Sequence, residues 1–260
     1  MNKVFFTSDL HFGHANVITF DKRPFANVDE MDAELIKRWN NKVGKGDLVY
    51  VLGDMIWKTS NDAAENIIKS LNGQIILIRG NHDRFLSNAK AKKALAGVKD
   101  YDDIVVTLDD GNKRRCILSH YYMPFYSSHL YQTIHLHGHS HCSKEATMEQ
   151  VISEMLNQKG FPNEIYNVGC MHWNYEPVTL DEILAKKHQP VKQTFTNYDM
   201  VRAMSVEEMA RGIRCPLEGF DDMTNMGFSS MECIEPSGCR DCCLSWLNST
   251  PKFTYEGGRA

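Results

Sequence analysis

The chain has 260 residues, of which 42% are hydrophobic and 24% are charged, and its net charge is −4 at pH 7. This balance is typical of a globular protein, and the length suffices for one large domain or for a medium and a small one. No long basic run favours non-specific nucleic-acid binding, no stretch is long enough to span a membrane, and the amino terminus lacks a signal-peptide pattern, so we expect a cytoplasmic protein.

The first part of the chain alternates short apolar runs with segments of helical spacing. The predicted strands are 4–8, 48–52, 75–78, 104–108, 116–118, 134–137 and 165–168, with the fourth and fifth joined as a hairpin. The predicted helices are 31–39, 63–71 and 180–185. This order of elements predicts an α/β domain over residues 1–186.

Polar clusters follow five of the predicted strands. They are Asp9-Leu-His11, Gly53-Asp54, Gly80-Asn-His-Asp83, Ser119-His120 and His135-Leu-His-Gly-His-Ser-His141. Ligands of open α/β sheets bind outside the carboxyl ends of strands, so clusters far apart in sequence are expected to converge there. Alternation along an extended segment would turn His139 and His141 toward the same side, and neutral imidazole is a common metal ligand.

The converging side chains predict a site for two metals that share a bridging carboxylate. Seven oxygen and nitrogen ligands are too many for one closed zinc site, and without thiolate they favour Mn²⁺, Fe²⁺ or Zn²⁺. Two such metals would lower the pKa of a bridging water and hold a phosphoryl group for displacement. The predicted ligands are Asp9, His11, Asp54, Asn81, His120, His139 and His141.

The neighbours of these ligands have predicted roles as well. His82 adjoins Asn81 and is placed to protonate the departing alkoxide as a general acid. His14, Asn16 and Arg23 are candidates to line the substrate pocket, as are Tyr121 and Tyr122, although each has a surface role as its alternative. His135 and His137 are expected to pack behind the site.

Each predicted ligand, taken singly, has a commoner structural use. An Asp that follows a strand often caps a turn or a helix, and a lone His is more often a core or surface residue than a ligand. Five such clusters at the ends of five strands are improbable as a coincidence, and together they favour the metal site.

These motifs, in this order, resemble the five motifs of the calcineurin-like metallophosphoesterases over residues 4 to about 185. The resemblance implies a two-sheet β-sandwich flanked by helices, with His82 as the general acid. It also implies the two ligand sets: Asp9, His11, Asp54 and His141 for the first metal, and Asp54, Asn81, His120 and His139 for the second. The segments 8–14, 23–25 and 167–169 resemble a small bacterial and phage branch of that family.

One departure from the family pattern restricts the substrate. Protein serine/threonine phosphatases of the superfamily continue the second motif with an Asp and an Arg, whereas Gly53-Asp-Met-Ile-Trp-Lys58 has neither. A phosphoprotein substrate is therefore not expected, and His82 lacks the Asp that usually orients it. Asp83 adjoins it but is not assigned that role.

The last part of the chain differs in composition, and we expect a linker at 187–195. Residues 196–260 carry 6 basic and 10 acidic side chains, and five of the eight cysteines fall within positions 215–243. A small α-rich module stapled by structural Zn²⁺ is predicted, with free core cysteines as the alternative. The predicted zinc ligands are Cys215, Cys233, Cys239 and Cys242.

This module also resembles a cysteine-rich module of phages and prophages, which implies a location in a bacterium or a phage-infected host cell. Its excess of acidic residues favours a protein partner or a purely structural role over nucleic acid.

The predicted function is metal-dependent hydrolysis of a phosphate ester, by a phosphodiesterase or nucleotide hydrolase that uses a metal-bridging hydroxide. One alternative is a phosphomonoesterase acting on small phosphates, and another is a non-catalytic scaffold that binds proteins. A third is a phage enzyme that degrades a cyclic-nucleotide defence signal, which rests on the phage resemblance.

Overall fold

The computed structural model describes residues 2–57, 61–161 and 163–187, and these lie in one compact unit, Met1–Gln189. The strands in this part of the chain are β1 (Val4–Thr7), β2 (Leu48–Val51), β3 (Gln74–Ile78), β4 (Gly97–Lys99), β5 (Asp102–Thr107), β6 (Lys113–Leu118), β7 (Ile134–His137), β8 (Glu164–Asn167) and β9 (Val178–Thr179). Its α-helices are α1 (Ala15–Phe20), α2 (Val28–Lys42), α3 (Asn61–Ser70), α4 (Ala89–Ala94), α5 (Lys144–Gln158) and α6 (Leu180–Lys187). None of these helices is long and apolar enough to cross a membrane.

The strands form two sheets. The first has the order β4-β3-β2-β1-β9, in which β1 to β4 are parallel and β9 runs antiparallel to β1. The second has the order β5-β6-β7-β8, with an antiparallel β5–β6 hairpin followed by two parallel pairings. Consecutive parallel strands are joined through helices or long loops, so the loops that leave their carboxyl ends collect at one edge.

Two hydrophobic cores fix the layers. Alternate residues of β1 face opposite sides of the first sheet: Phe6 packs in a core with Leu118 and Leu136 of the second sheet, whereas Phe5 packs in a core with residues of α2 and α3. Successive side chains of a strand point to opposite faces of the sheet. A continuous apolar run, as in β1 and β2, therefore indicates a strand that is buried on both faces. The two-sheet sandwich flanked by helices is therefore confirmed.

Every strand and helix predicted for residues 1–186 is present, with boundaries that differ by up to three residues. The helix predicted to begin at Met31 starts at Val28, because the Asn27 side chain accepts a hydrogen bond from the Glu30 N–H and caps the first turn. The sequence reading missed α1, α4, β4, α5 and β9. The predicted linker begins at Lys187, which is the last residue of α6. Its remaining residues, 188–195, and the zinc cysteines lie outside the described residues, so the domain boundary and the zinc module stay predictions.

Candidate metal centre

The seven predicted ligands lie in loops that leave the carboxyl ends of five strands, β1, β2, β3, β6 and β7. Five of them have a positive φ, which non-glycine residues seldom adopt and which concentrates at functional sites. These are Asp9, His11, Asp54, His139 and His141, with φ between 49° and 73°. The backbone therefore turns sharply at the residues that the sequence marked as ligands.

Two glycines allow the loops to approach one another. Gly53 has φ +91°, and a Cβ there would overlap the imidazole of His120. A Cβ at Gly138 would overlap the Ser8 hydroxyl and press on the Asp9 carboxylate. The glycines of both motifs thus serve close packing around the ligands.

The first group of ligands is Asp9, His11, Asp54 and His141. One ligand atom from each of these side chains lies within 4.8 Å of those of the others, and the group is mostly buried. The His11 Nε2 and His141 Nε2 atoms are 3.1 Å apart, and His141 Nε2 is 3.6 Å from an Asp9 oxygen. This is the set predicted for the first metal.

The second group gathers Asn81, His120 and His139. The Asn81 Oδ1 atom is 2.9 Å from His120 Nε2 and 3.1 Å from His139 Nδ1, and the two imidazole nitrogens are 3.2 Å apart. The Asp54 Oδ2 atom joins the two groups, because it is 3.7 Å from His11 Nε2 and 3.7 Å from His120 Nε2. Asp54 thus lies between the two groups, where the sequence analysis predicted a bridging carboxylate.

The hydrogen bonds of the ligands fit bound cations. His120 Nδ1 donates to the Leu52 carbonyl at 2.8 Å, so in the neutral ring Nε2 carries a lone pair. That lone pair faces the Asn81 carbonyl oxygen, and two acceptors in contact are stabilised by a cation that both can bind. His141 is arranged similarly, since its Nδ1 donates to Asp21 Oδ2 at 2.8 Å and leaves Nε2 free to bind a metal.

The electrostatics of these side chains match a site built for positive charge. Burial, with a smaller contribution from the neighbouring Asp54 carboxylate, raises the pKa of Asp9 to about 7 against the lowering effect of His141. Burial lowers the pKa of His11 far below its usual range and lowers that of His120. Neutral imidazoles are the form that binds metal, whereas a buried carboxylate needs a cation to stay ionised.

The calcineurin-like phosphoesterase family model matches residues 2–211. The chain belongs to the calcineurin-like phosphoesterase family. The chain is also similar to phage proteins. The Gene 66 protein of Mycobacterium phage D29 is 32% identical over 205 residues, covering 70% of this chain and 94% of that protein. The Gene 66 protein of Mycobacterium phage L5 is 31% identical over 169 residues, covering 54% and 78%. These relatives support the small phage branch.

Two further similarities concern part of the chain or the fold alone. The uncharacterized protein MJ1445 of Methanocaldococcus jannaschii is 51% identical over 86 residues, or 33% of this chain, and the match spans 49% of that relative's length. The crystal structure of a protein of unknown function, AQ665 from Aquifex aeolicus, has a TM-score of 0.51 at 22% identity, covering 72% of this chain and all of that one. The family match and the first ligand group together support a metal-dependent phosphoesterase.

The general acid of this phosphoesterase was predicted to be His82. Its ring lies 4.6 Å from the Trp57 ring and 6.0 Å from the His11 ring, between centroids, and its backbone N–H donates to Asp54 Oδ1 at 2.8 Å. Within the described ranges no carboxylate is hydrogen-bonded to the ring. Asp83 does not orient it, because its carboxylate accepts from the backbone N–H groups of Asp54, Met55 and Gly80 instead.

A cavity of about 250 Å³ opens over the ligands, and of the five predicted substrate contacts only His14 lines it. The His14 ring lines the cavity and stacks on Trp57 at 3.9 Å. Asn16 is exposed on α1 and is not among the lining residues. The residues lining the cavity are His11, His14, Phe20, Asp54, Trp57, Asn81, His82, His139 and His141.

The predicted substrate contact of Arg23 is wrong in this fold, because the side chain points inward. Its guanidinium donates to the carbonyl oxygens of Asp9 at 2.8 Å and Leu10 at 2.9 Å, and it pairs with the Asp21 carboxylate at 3.0 Å. The side chain is fully buried. Arg23 therefore holds the loop that carries two metal ligands, and it has no group left to reach a phosphate.

The sequence reading missed several residues of the site. Asp21 accepts from His141, and the Asp32 carboxylate accepts from the Gly13 N–H at 3.0 and 3.1 Å, which fixes the turn between His11 and His14. Trp57 and Phe20 line the cavity. An Asp beside or within a helix, or an aromatic residue at the end of a helix or in a loop, has no local signal of its own, and only the tertiary fold brings these side chains to the site.

Proposed function

We propose that the chain is a dinuclear metal-dependent phosphodiesterase whose substrates include nucleotides. The observation that carries this proposal is the position of Asp54 Oδ2, at 3.7 Å from a ligand nitrogen of each group. A site for one metal ion would not need the second group of ligands, Asn81, His120 and His139, beside the first. Oxygen and imidazole ligands suit Mn²⁺, Fe²⁺ or Zn²⁺ at both positions.

Each side chain has a defined task in this proposal. Asp9, His11 and His141 would hold one metal, and Asn81, His120 and His139 the other, with Asp54 shared between them. When bound, two such metals would supply Lewis-acid activation of water and compensation of the charge on the phosphoryl oxygens. The backbone N–H of His82 binds the second carboxylate oxygen of Asp54 and so holds its orientation.

His82 supplies the proton for the leaving group. Its imidazole lines the cavity beside Trp57 and is not required as a ligand. A histidine in that position can donate its proton to the departing alkoxide oxygen as the ester bond breaks. The stacked pair of His14 and Trp57 lines the same part of the cavity.

The charge of the cavity favours a diester over a monoester. A phosphodiester carries one negative charge, whereas a monoester is largely a dianion near neutral pH. Within the described residues no Lys or Arg lines the first cavity, and Arg23 is buried with its donors in use. Enzymes that bind dianionic phosphates commonly use Arg, which donates two hydrogen bonds to the phosphate. Among the described residues, no Arg lines the first cavity.

The decisive experiment compares hydrolysis of bis-p-nitrophenyl phosphate and p-nitrophenyl phosphate by protein that has been stripped of metal and reloaded with Mn²⁺. We expect two Mn²⁺ per chain by elemental analysis and a higher kcat/KM for the diester. Asp54→Asn should lose at least one equivalent of Mn²⁺ and nearly all turnover. Asp100→Asn is the matched control, because Asp100 lies at the surface in an ion pair with Arg79.

Other outcomes have distinct meanings. Faster hydrolysis of the monoester would favour the phosphomonoesterase, and one Mn²⁺ per chain would contradict the dinuclear site. No bound Mn²⁺ with a folded protein would favour the non-catalytic scaffold. The cytoplasmic location, the structural Zn²⁺ at Cys215, Cys233, Cys239 and Cys242, and a protein partner for residues 196–260 stay predictions.

A further inference from the structure

A second cavity adjoins the first beside the metal ligands. Its volume is about 520 Å³, and it shares Phe20, His139 and His141 with the first cavity. The rest of its wall comes from residues 140–145 before and at the start of α5, together with Asp21. The two cavities thus form one groove that passes over the ligand histidines, and the second part is large enough for a substituent bigger than the phosphate.

Phe20 is the aromatic residue that the two cavities have in common. It ends α1 and remains 56% exposed, although its ring lies edge-on to His141 and to His14 at centroid distances of 5.7 Å. An exposed phenyl ring contributes nothing to the core, and here it stands directly beside a metal ligand. Flat aromatic groups, nucleobases above all, stack on such rings.

The position of the general acid assigns an end of the substrate to each cavity. His82, Trp57 and His14 line the first cavity and not the second. In a hydrolysed diester the group that departs takes its proton from the acid, so the departing group lies in the first cavity. The substituent that stays on phosphorus must then extend away from His82, along the groove toward the second cavity.

We propose that the second cavity binds the retained substituent of the substrate, and that this substituent is a nucleoside whose base stacks on Phe20. The assignment of the two ends rests on the proposed phosphodiesterase activity. In the reaction a water oxygen replaces the departing alkoxide on phosphorus, and the alkoxide leaves with the proton of His82. The product that remains in the second cavity is a nucleoside monophosphate.

The test uses two diesters that share a p-nitrophenyl leaving group and differ only in the retained group. One is thymidine 5′-p-nitrophenyl phosphate, and the other is methyl p-nitrophenyl phosphate. In Phe20→Leu the ratio of kcat/KM for the thymidine ester to that for the methyl ester should fall about tenfold, because loss of a stacked base contact costs that order of magnitude. Phe20→Trp should keep the ratio of the wild type.

Phe125→Leu is the matched control. Phe125 is 59% exposed, packs edge-on to Phe161 and lines neither cavity, so the same substitution there should leave the ratio unchanged. An unchanged ratio in Phe20→Leu would overturn the proposal, as would a ratio in Phe20→Trp that falls as far as in Phe20→Leu. Neither result decides the proposed phosphodiesterase activity, which is tested by the hydrolysis of the two diesters by the wild type.

A binding measurement separates this proposal from the activity. Calorimetry with the Mn²⁺-loaded protein should show that thymidine 5′-monophosphate binds more tightly than methyl phosphate, and that Phe20→Leu removes about tenfold of that preference. If the wild type hydrolyses neither diester, the proposed function fails. The binding comparison then still tests whether the second cavity binds a nucleoside. Equal affinity for the two phosphates in the wild type would overturn the nucleoside assignment.

Discussion

The His141 Nδ1–H donates to the Asp21 carboxylate at 2.8 Å, and this bond joins two loops that are 120 residues apart in the sequence. Asp21 is buried and is held in turn by Arg23. The pKa of Asp21 is lowered by its hydrogen bond to His141 and by the Arg23 charge, against the opposing effect of burial. An ionised carboxylate behind a ligand histidine fixes the tautomer of the ring and raises its basicity toward a metal.

Asp21→Asn should therefore weaken metal binding without removing a ligand. An amide carries no charge, so the one oxygen that accepts from both His141 and Arg23 would become a weaker acceptor for each of them. We expect the affinity for the Mn²⁺ bound through His141 to fall about tenfold to a hundredfold, as is usual when such a partner is lost. Calorimetric titration of Mn²⁺ into stripped protein measures this, with Asp100→Asn as the control. An unchanged affinity would show that the Asp21 contact is only structural.

Arg23→Lys tests whether Arg23 supports the loop or binds phosphate. Lysine keeps the charge but cannot donate at once to two carbonyl oxygens and to Asp21, so we expect the free energy of unfolding to fall by about 2 kcal/mol. Urea denaturation measures this change. At saturating Mn²⁺ the KM for bis-p-nitrophenyl phosphate should stay within about twofold, since no substrate contact is lost. A large rise in KM with unchanged stability would restore the substrate role.

His82→Ala tests the general acid through the leaving group. A p-nitrophenolate leaves without taking up a proton, whereas the alkoxide of a dinucleotide needs a proton in order to leave. We expect kcat/KM for thymidylyl-thymidine to fall about a hundredfold or more and that for bis-p-nitrophenyl phosphate to fall much less. Elemental analysis should find the Mn²⁺ content of the wild type. Equal losses of kcat/KM on the two substrates would mean that His82 does not act as the general acid.

The candidate ligands could be predicted from the sequence because each of them follows an apolar strand in a short motif. Asp54, Asn81 and His120 follow three different strands, and the parallel order of the sheets brings such strand ends together. The ligand positions could therefore be predicted from a local pattern and one general rule of topology. Their supporting contacts could not, because Asp21 and His141 meet only through the folded chain.

Two errors have physical causes in the residue types. Arg23 was predicted to bind phosphate because a guanidinium suits it, yet the same donors serve backbone carbonyls equally well when a loop folds over them.

The helix α5 was missed because several of its apolar residues face solvent. Met148, Val151 and Met155 are exposed and Leu156 is buried, so the apolar residues do not mark a single inward face.

His135 gives the last prediction, which concerns stability and pH. It lies in β7 behind the site, as the sequence indicated for a histidine that packs rather than binds metal. Its Nδ1 donates to the Ile117 carbonyl at 3.1 Å, and its Nε2 accepts from the Met123 N–H at 3.2 Å. Both nitrogens are thus used by the neutral ring. Burial lowers the pKa of His135 from 6.5 to about 4.

The unfolded chain therefore binds a proton at this residue below pH 6.5, whereas the folded protein does not until about pH 4. Unfolding takes up a proton between these values, so the stability that the neutral ring provides is fully present above pH 6.5 and declines as the pH falls toward 4. Between pH 7 and pH 5 this amounts to about 2 kcal/mol. Because other groups titrate in the same range, the measurement is the difference between the wild type and His135→Gln in urea denaturation of metal-free protein. The stability advantage of the wild type should shrink by that amount at pH 5, and parallel pH profiles for the two proteins would contradict the lowered pKa.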